Sequence, residues 1–588
     1  MELPAAYQAA AKLEEELGDP RDPASVVSFA SAVAHDEREE FPQPLFDALV
    51  ARGYLRQMVP RQDGGLFGSF ESAAALQRAV SRRDLTCAIA LGQCFLGSIA
   101  VFLSGTPAQR ARAASLLLAG QSMGLALTEE EHGSDVLAGG TRAERQSDGY
   151  LLTGRKWLIN NGSRATALTL FARTAGREGD GELHAHSLFL LDKQEVRRGT
   201  LTPLPKIRTH GIRGADISGL VLEGAEVSLD ALLGAEGSGA ELLLKSLQIT
   251  RTGCAAFALG AADSALRLTL DFASARTLYG APLVELPQAR AELLGVFLDL
   301  LVCDAAALAG ARAVQAAPEQ LSLWSAAIKY FVPVTAESAT RAAARVLGAR
   351  HYLREQFADG AFQKLLRDAA VVSLFDGSTA VNLDGVGTQL LRLSPSRAAP
   401  DAERAASLAV LFSLGAKVPP IDPARLQLTN AGRCDITQGL PSARAALARL
   451  HAAGALEPEI GAALVSLGEQ LQVELERVAL AVSALQARDR VQVKRSPELF
   501  ALAARHAGLF AAACALHLFL GSRGALDPFF DEGAWLVLVL DRALGGLAGA
   551  HPLSARVTAR MLALHEEERA FALVPLPLGR RFKTPGAR

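Results

Sequence analysis

A block of short β-prone runs sits inside a chain that is otherwise written at helical spacing. The runs 150–154, 167–171, 187–191 and 219–222 are rich in Leu, Phe, Val and Thr, and clusters of Gly and Asp separate them, including the stretch 176–181. Several strands so closely spaced over 123–235 predict a small β-domain, a sandwich or barrel. On both sides apolar residues recur three or four positions apart, as in Leu45/Leu49 and Leu85/Ile89. Residues 1–122 therefore read as a helical domain, with Pro60-Arg61-Gln62-Asp63-Gly64-Gly65 as a loop inside it. Helical periodicity returns near Ala240 and runs through 259–275, 289–316 and 322–349, which predicts a helical bundle over 236–393. Residues 394–400 read as a linker. Residues 401–588 read as a further helical domain, with apolar stretches at 478–487 and 533–547. The fold class is α+β, mostly α: helical domain, β-domain, four-helix bundle, and an additional C-terminal helical domain.

The 588 residues suggest about four domains at roughly 150 residues each, and half are hydrophobic, enough for a large core. A net charge of −2 carries no basic excess of the kind nucleic acid attracts. The six cysteines form no C-x-x-C pair and match no zinc spacing, so no metal is expected, and a reducing compartment fits. Met1-Glu2-Leu3-Pro4 does not open like a secretory signal, and the apolar run 509–520 is broken by His517 and too short to span a bilayer. A soluble, cytoplasmic protein is expected, and the Ala, Leu and Arg bias suggests a bacterial source with a GC-rich genome. The basic tail 579–586 is expected to be disordered.

Two segments carry candidate chemistry. Leu125-Ala126-Leu127-Thr128-Glu129-Glu130-Glu131-His132-Gly133-Ser134-Asp135 lies where helices give way to strands, and its small residues bring backbone N–H groups close to a flat polar ring or a phosphate. Gly154-Arg155-Lys156-Trp157-Leu158-Ile159-Asn160-Asn161-Gly162 reads as a hairpin edge that walls off an aromatic cofactor, or as an ordinary hairpin with a core Trp. Taken in order, T-E-x-x-x-G-S-D and then G-x-K-x-x-I-x-N-G, the two resemble the acyl-CoA dehydrogenase family. The likeness continues through Arg213-Gly214-Ala215-Asp216, Arg276-Thr277-Leu278-Tyr279-Gly280-Ala281-Pro282-Leu283 with Gln288 beyond it, Arg367-Asp368-Ala369 and Phe375-Asp376-Gly377-Ser378. It covers roughly residues 30 to 390.

The resemblance implies FAD as cofactor and an acyl thioester as substrate, carried by coenzyme A or an acyl carrier protein. Leu125, Leu127 and Thr128 match the segment along the flavin edge, and Gly133 and Ser134 the turn that meets flavin and thioester. Leu158 and Asn160 match residues packed on the flavin, although the family's usual aromatic is Leu158 here and its usual Thr or Ser is Asn160. Arg276 matches an arginine that pairs with the pyrophosphate across a subunit boundary, Gln288 a second such contact, and Gly348 the remnant of Q-x-x-G-G, whose Gln and second Gly are missing. Ser378 matches a further cofactor contact. Gln248, Thr250, Arg251 and Gly377 match thioester contacts.

Asp376 stands where the family carries its glutamate base, one methylene shorter, and Arg251 is expected beside it. The alternative base position matches Thr250, which cannot serve. A carboxylate at Asp376 would take the α proton while hydride leaves the β carbon. His132 gives its segment a likeness to relatives in bacterial lipopeptide or polyketide pathways, which would make an acyl carrier protein the donor. The C-terminal block resembles that of the very-long-chain members and implies a homodimer. Electron-transfer flavoprotein or oxygen would accept the electrons. Two other chemistries fit the same fold: an oxygen-using oxidase or monooxygenase, given the changed flavin neighbours, and a catalytically weak ligand-binding relative, given Asp376 and the 345–349 departures.

Overall fold

The structure, a computed structural model, describes residues 3–174, 182–393, 402–488 and 491–580. The Gly-rich stretch 176–181, the linker 394–400 and the tail beyond 580 lie outside the described residues. The contacts divide the chain into two compact units, one of 31–68 and 84–250, the other of 1–30, 69–83 and 251–588.

The first unit carries the β-domain. Its strands are β1 Met123–Ala126, β2 Arg142–Arg145, β3 Gly149–Asn160, β4 Ala167–Arg173, β5 His186–Asp192, β6 Thr200–Leu204, β7 Ile217–Ser228 and β8 Leu232–Leu233. All eight belong to one sheet, ordered β6-β7-β3-β2-β4-β5-β8, with β1 beside β4. The expected sandwich or barrel thus takes the form of a single sheet whose inward side chains make one cluster. Tyr150, Leu152, Leu168, Leu170, Phe189 and Leu220 are completely buried in it, and the Tyr150 and Phe189 rings meet edge to face at 5.0 Å. β3 runs antiparallel to β7 with bulges at Leu152/Gly154 and Trp157/Ile159. A bulge adds an unpaired residue and re-aims the side chains around it. The helix Leu85–Ser104, capped by Asp84 through Thr86 N and Cys87 N, packs on β1 so closely that a Cβ on Gly97 would stand 2.4 Å from Gly124 N.

In the second unit the long helices Pro287–Ala316 and Leu321–Leu347 pack against each other, and Thr379–Leu390 packs on Leu321–Leu347. The C-terminal helices belong to this same unit. Arg312, 2% exposed, explains part of that: its guanidinium bonds Glu71 at 2.6 Å and four backbone carbonyls, those of Val410, Leu411, Ser413 and Ala416, each at 2.8 Å. A buried guanidinium is tolerated when its donors are matched. Gln320 and Asp435 exchange two hydrogen bonds, at 2.7 and 2.8 Å.

The same unit gathers two helices from the N-terminal part of the chain, Ala5–Leu17 and Phe70–Ser81. Glu14, on Ala5–Leu17, pairs with buried Arg82 and Arg83, and Arg82 also reaches Asp263 at 3.2 Å. Burial pushes the Glu14 carboxyl up, but the two arginines outweigh it and hold it at about 2. Against this network lies a strap, residues 568–580. Phe571 N donates to Asp263 Oδ2 and Leu573 N to Asp304 Oδ2, both at 2.8 Å, and both side chains are fully buried. The start of the basic tail is therefore ordered, contrary to expectation: Gly579 is buried and Arg580 O accepts from Asp19 N at 3.2 Å.

The expectation that the apolar run 509–520 is too short to span a bilayer is also corrected. Leu85–Ser104, Pro287–Ala316 and Pro497–Gly521 are each long and apolar enough by length and composition, and 89%, 89% and 67% of their apolar windows are buried within the protein. The run 509–520 had looked short because periodicity does not count the polar residues that begin its helix. A helix apolar on all sides is buried somewhere, in protein or in lipid.

Candidate active site

In the first unit, the segment after β1 is fastened alongside β3. Trp157 N donates to Thr128 O at 2.9 Å. Lys156, 1% exposed, donates to Leu127 O at 2.9 Å and to Glu129 Oε1 at 2.8 Å. Glu129 in turn accepts from Gly140 N, Thr141 N and Thr141 Oγ1, at 2.7, 3.1 and 2.6 Å. Burial pushes the Glu129 carboxyl up, and Lys156, Thr141 and Gly140 together hold it down at about 2. Burial also pulls the Lys156 ammonium below its ordinary value despite Glu129. The lysine of the G-x-K motif thus points inward and Trp157 is only half-buried, so the motif does not supply a core Trp.

Leu158 is the residue displayed by the second bulge. It sits in the left-handed region, φ 54°, and is 38% exposed. A non-glycine residue held there costs about 1–3 kcal/mol, a strain that collects at ligand sites. Asn160 ends the strand half-buried. Leu125 pairs with Thr169 within the sheet, and Leu125, Leu127 and Thr128 are half-buried. Gly133 and Ser134 are exposed, and nothing lies within 4 Å of a Cβ built on Gly133. These residues fit a flavin ring: an exposed apolar plate next to a pinned turn with room for close approach to backbone N–H groups. The plate is aliphatic, so it offers contact but no ring stacking.

In the second unit, Asp376 and Gly377 form a turn with φ 56° and 96°, between Ala361–Ala369 and Thr379–Leu390. Arg251 Nε donates to Asp376 O at 3.0 Å, and the Cys254 thiol lies 3.7 Å from Asp376 Oδ2. A Cβ on Gly377 would stand 3.1 Å from the Arg251 guanidinium. Burial pushes the Cys254 thiol well up. Ser378 caps the next helix, accepting from Val381 N at 3.4 Å. Arg251, Asp376, Gly377 and Ser378 are therefore together.

Gln248 and Thr250 are buried on the helix that carries Arg251. Three other candidates are exposed and away from that turn in sequence: Arg276 at the start of the 277–282 hairpin, Gln288 in the first turn of Pro287–Ala316, and Gly348 just past Leu321–Leu347. Tyr279 on the hairpin is 96% exposed. Sequence reasoning gave no role to Glu129, Lys156, Cys254, Lys329 and Asn382, all drawn in by hydrogen bonds to the two turns. His132 is half-exposed, in a one-residue bridge with Glu129. All six cysteines are buried and none forms a disulfide. Among the described residues no group of three or more potential ligands is placed to hold a metal.

Three stretches match the family descriptions Acyl-CoA dehydrogenase N-terminal domain (25–121), middle domain (124–225) and C-terminal domain (237–391). The chain belongs to the acyl-CoA dehydrogenase family. Members of this family are FAD-dependent, and the chain is an oxidoreductase that the family assigns to acyl-thioester dehydrogenation in general. It is similar to a cyclohex-1-ene-1-carbonyl-CoA dehydrogenase from Geobacter metallireducens, 28% identical over 376 residues, 63% of this chain and 96% of that one. An acyl-CoA dehydrogenase from Bacillus subtilis is 28% identical over 354 residues, 59% of this chain and 89% of that one. In fold it resembles butyryl-CoA dehydrogenase from Megasphaera elsdenii, TM-score 0.61 at 24% identity, covering 67% of this chain and 100% of that one. An acyl-CoA dehydrogenase complexed with FAD from Bacillus anthracis gives 0.68 at 18% identity, with 90% and 87% covered. That likeness extends through most of the C-terminal helices.

Proposed function

We propose that this dehydrogenase converts an acyl-CoA to its 2-enoyl thioester, with Asp376 as the base. The observation that carries this reading is the 376–378 turn. It presents the one carboxylate at the family's base position, in a left-handed conformation held by Arg251 from a neighbouring helix. Thr128, Gly133, Ser134, Leu158 and Asn160 would hold the isoalloxazine ring, and Arg276 the pyrophosphate. Bound FAD would supply a hydride acceptor for the β carbon.

The chain's own part is proton transfer and orientation. Asp376 takes the α proton onto its carboxylate. The charged Arg251 keeps the backbone of that turn from shifting, and a displacement of about 1 Å would lower the rate about 10²-fold. Aspartate reaches one methylene less than glutamate, so the left-handed backbone sets how far the carboxylate extends. Electron-transfer flavoprotein as acceptor and a homodimer complete the proposal.

The test is the visible spectrum of the purified protein before and after anaerobic addition of straight-chain, branched and alicyclic acyl-CoA thioesters. A flavin that bleaches with one of them, and about 10²- to 10⁴-fold more slowly in Asp376→Asn, supports the reading. Full-rate bleaching in flavin-loaded Asp376→Asn removes Asp376 as the base.

A further inference from the structure

Lys329 lies in the middle of Leu321–Leu347, 1% exposed, with its ammonium among carbonyls. Nζ donates to Val372 O at 2.7 Å and to Gly377 O at 3.2 Å, and it stands 5.5 Å from the Phe375 ring centroid. The same turn is gripped from two further helices. Arg251 holds Asp376 O, and Asn382 Nδ2 donates to Gly377 O at 2.8 Å and Ser378 O at 2.9 Å. Carbonyl bonds could have come from neutral amides, as Asn382 shows. A buried ammonium is a costly way to make them unless its charge is used.

We propose that Lys329 is a positioning residue for Asp376: it clamps the carbonyls on both sides of the turn and supplies the buried positive charge that keeps the carboxylate ionised. The groups facing it are Arg251 and Cys254 from Gly239–Ala275, Asp376 and the Phe375 ring from the turn, and neutral Asn382 from Thr379–Leu390. Burial pushes the Lys329 ammonium below its ordinary value, Cys254 and Asp376 push it back up, and Arg251 adds to the lowering. The coupling with Asp376 is reciprocal, so the ammonium favours the charged carboxylate. Lys329 thereby joins Arg251 in opposing the protonation that a half-buried base would otherwise favour.

The proposal rests on Asp376 being the base, but its test reads the carboxyl directly. The C=O stretch of protonated Asp376, identified by its loss in Asp376→Asn, is followed by infrared difference spectroscopy of the flavin-loaded protein from pH 9 to pH 4.5. Lys329→Gln keeps a donor and removes the charge; Lys329→Met serves if it fails to fold, and Lys329→Arg keeps the charge. Losing the cation disfavours the carboxylate, so the midpoint should rise by about one to two pH units in the uncharged variant and stay within a few tenths of wild type in Lys329→Arg. An unchanged midpoint in the uncharged variant overturns the proposal. So does a Lys329→Arg midpoint as high as that of the uncharged variant, or no protonated band in any of the proteins down to pH 4.5. Turnover by Asp376→Asn would instead refute the base assignment while leaving the titration result standing.

Discussion

Replacing Glu129 with glutamine preserves the side chain's size while removing its charge and one acceptor oxygen. Oε2 accepts from Gly140 N, and Oε1 accepts from Thr141 N, Thr141 Oγ1 and Lys156 Nζ. An amide NH₂ would face a backbone donor in the Oε2 place, and an ammonium and a backbone N–H beside the Thr141 hydroxyl in the Oε1 place. The carboxyl's fall from its ordinary 4.5 to about 2 sets an upper bound of about 3.5 kcal/mol, at roughly 1.4 kcal/mol per unit. Burial of Lys156 works against the pair and solvent screens the partly exposed carboxylate, which together bring the expected loss to about 2 kcal/mol. The 136–145 segment should then open about 30-fold more often. Hydrogen exchange by mass spectrometry on flavin-loaded protein at pH 7 would read this in peptides across 127–145. The folded-state value lies below the unfolded one, so Glu129's contribution is complete above about 4.5 and is lost as pH falls towards about 2. The gap between wild type and variant should close over that window. Protection within threefold of wild type at pH 7 would refute the view that this carboxylate fastens the turn.

Gly97→Ala should destabilise the β-bearing unit by about 3 kcal/mol, because its Cβ would meet the backbone of Gly124 at 2.4–2.6 Å. A melting temperature within 2 °C of wild type would contradict that, against an expected fall of roughly 6–10 °C. Ending the chain after Arg569 removes the fully buried Phe571 and Leu573 and leaves Asp263 and Asp304 without two donors, a loss of about 5 kcal/mol. Little soluble protein is expected, and what there is should be cut readily by trypsin; a truncated protein as resistant as wild type would show the strap to be dispensable.

The strands that were legible in the sequence are those inside β3, β4, β5 and β7, where apolar β-formers cluster. β1, β2, β6 and the two-residue β8 were not. Arg142–Arg145 is mostly charged and becomes a strand by pairing with β3, and Thr200–Leu204 contains Pro203 and survives as an edge strand. Periodicity gives the helices in order, but it does not say that 1–30 and 69–83 share a unit with 251–588, because the contacts that join them are non-local. At the site, the placing of Arg251 against Asp376 came from the resemblance alone, since the two are far apart in the chain. Lys156 was read only as a motif letter and Lys329 not at all, because a lysine in a strand or helix pattern reads as solvated. Their role depends on which carbonyls and carboxylates the fold brings to them.

The strap has a consequence for the order in which the chain can fold during synthesis. Residues 31–68 and 84–250 are complete as soon as residue 250 has left the ribosome, so the β-bearing unit can close its core early. The other unit contains the first helix of the chain, Ala5–Leu17, and also residues 568–580. Glu14, Arg82 and Asp263 emerge long before Phe571 arrives at Asp263. For most of translation the helices of that unit must wait with part of their apolar surface uncovered, which makes it the slower-folding and more aggregation-exposed half of the protein.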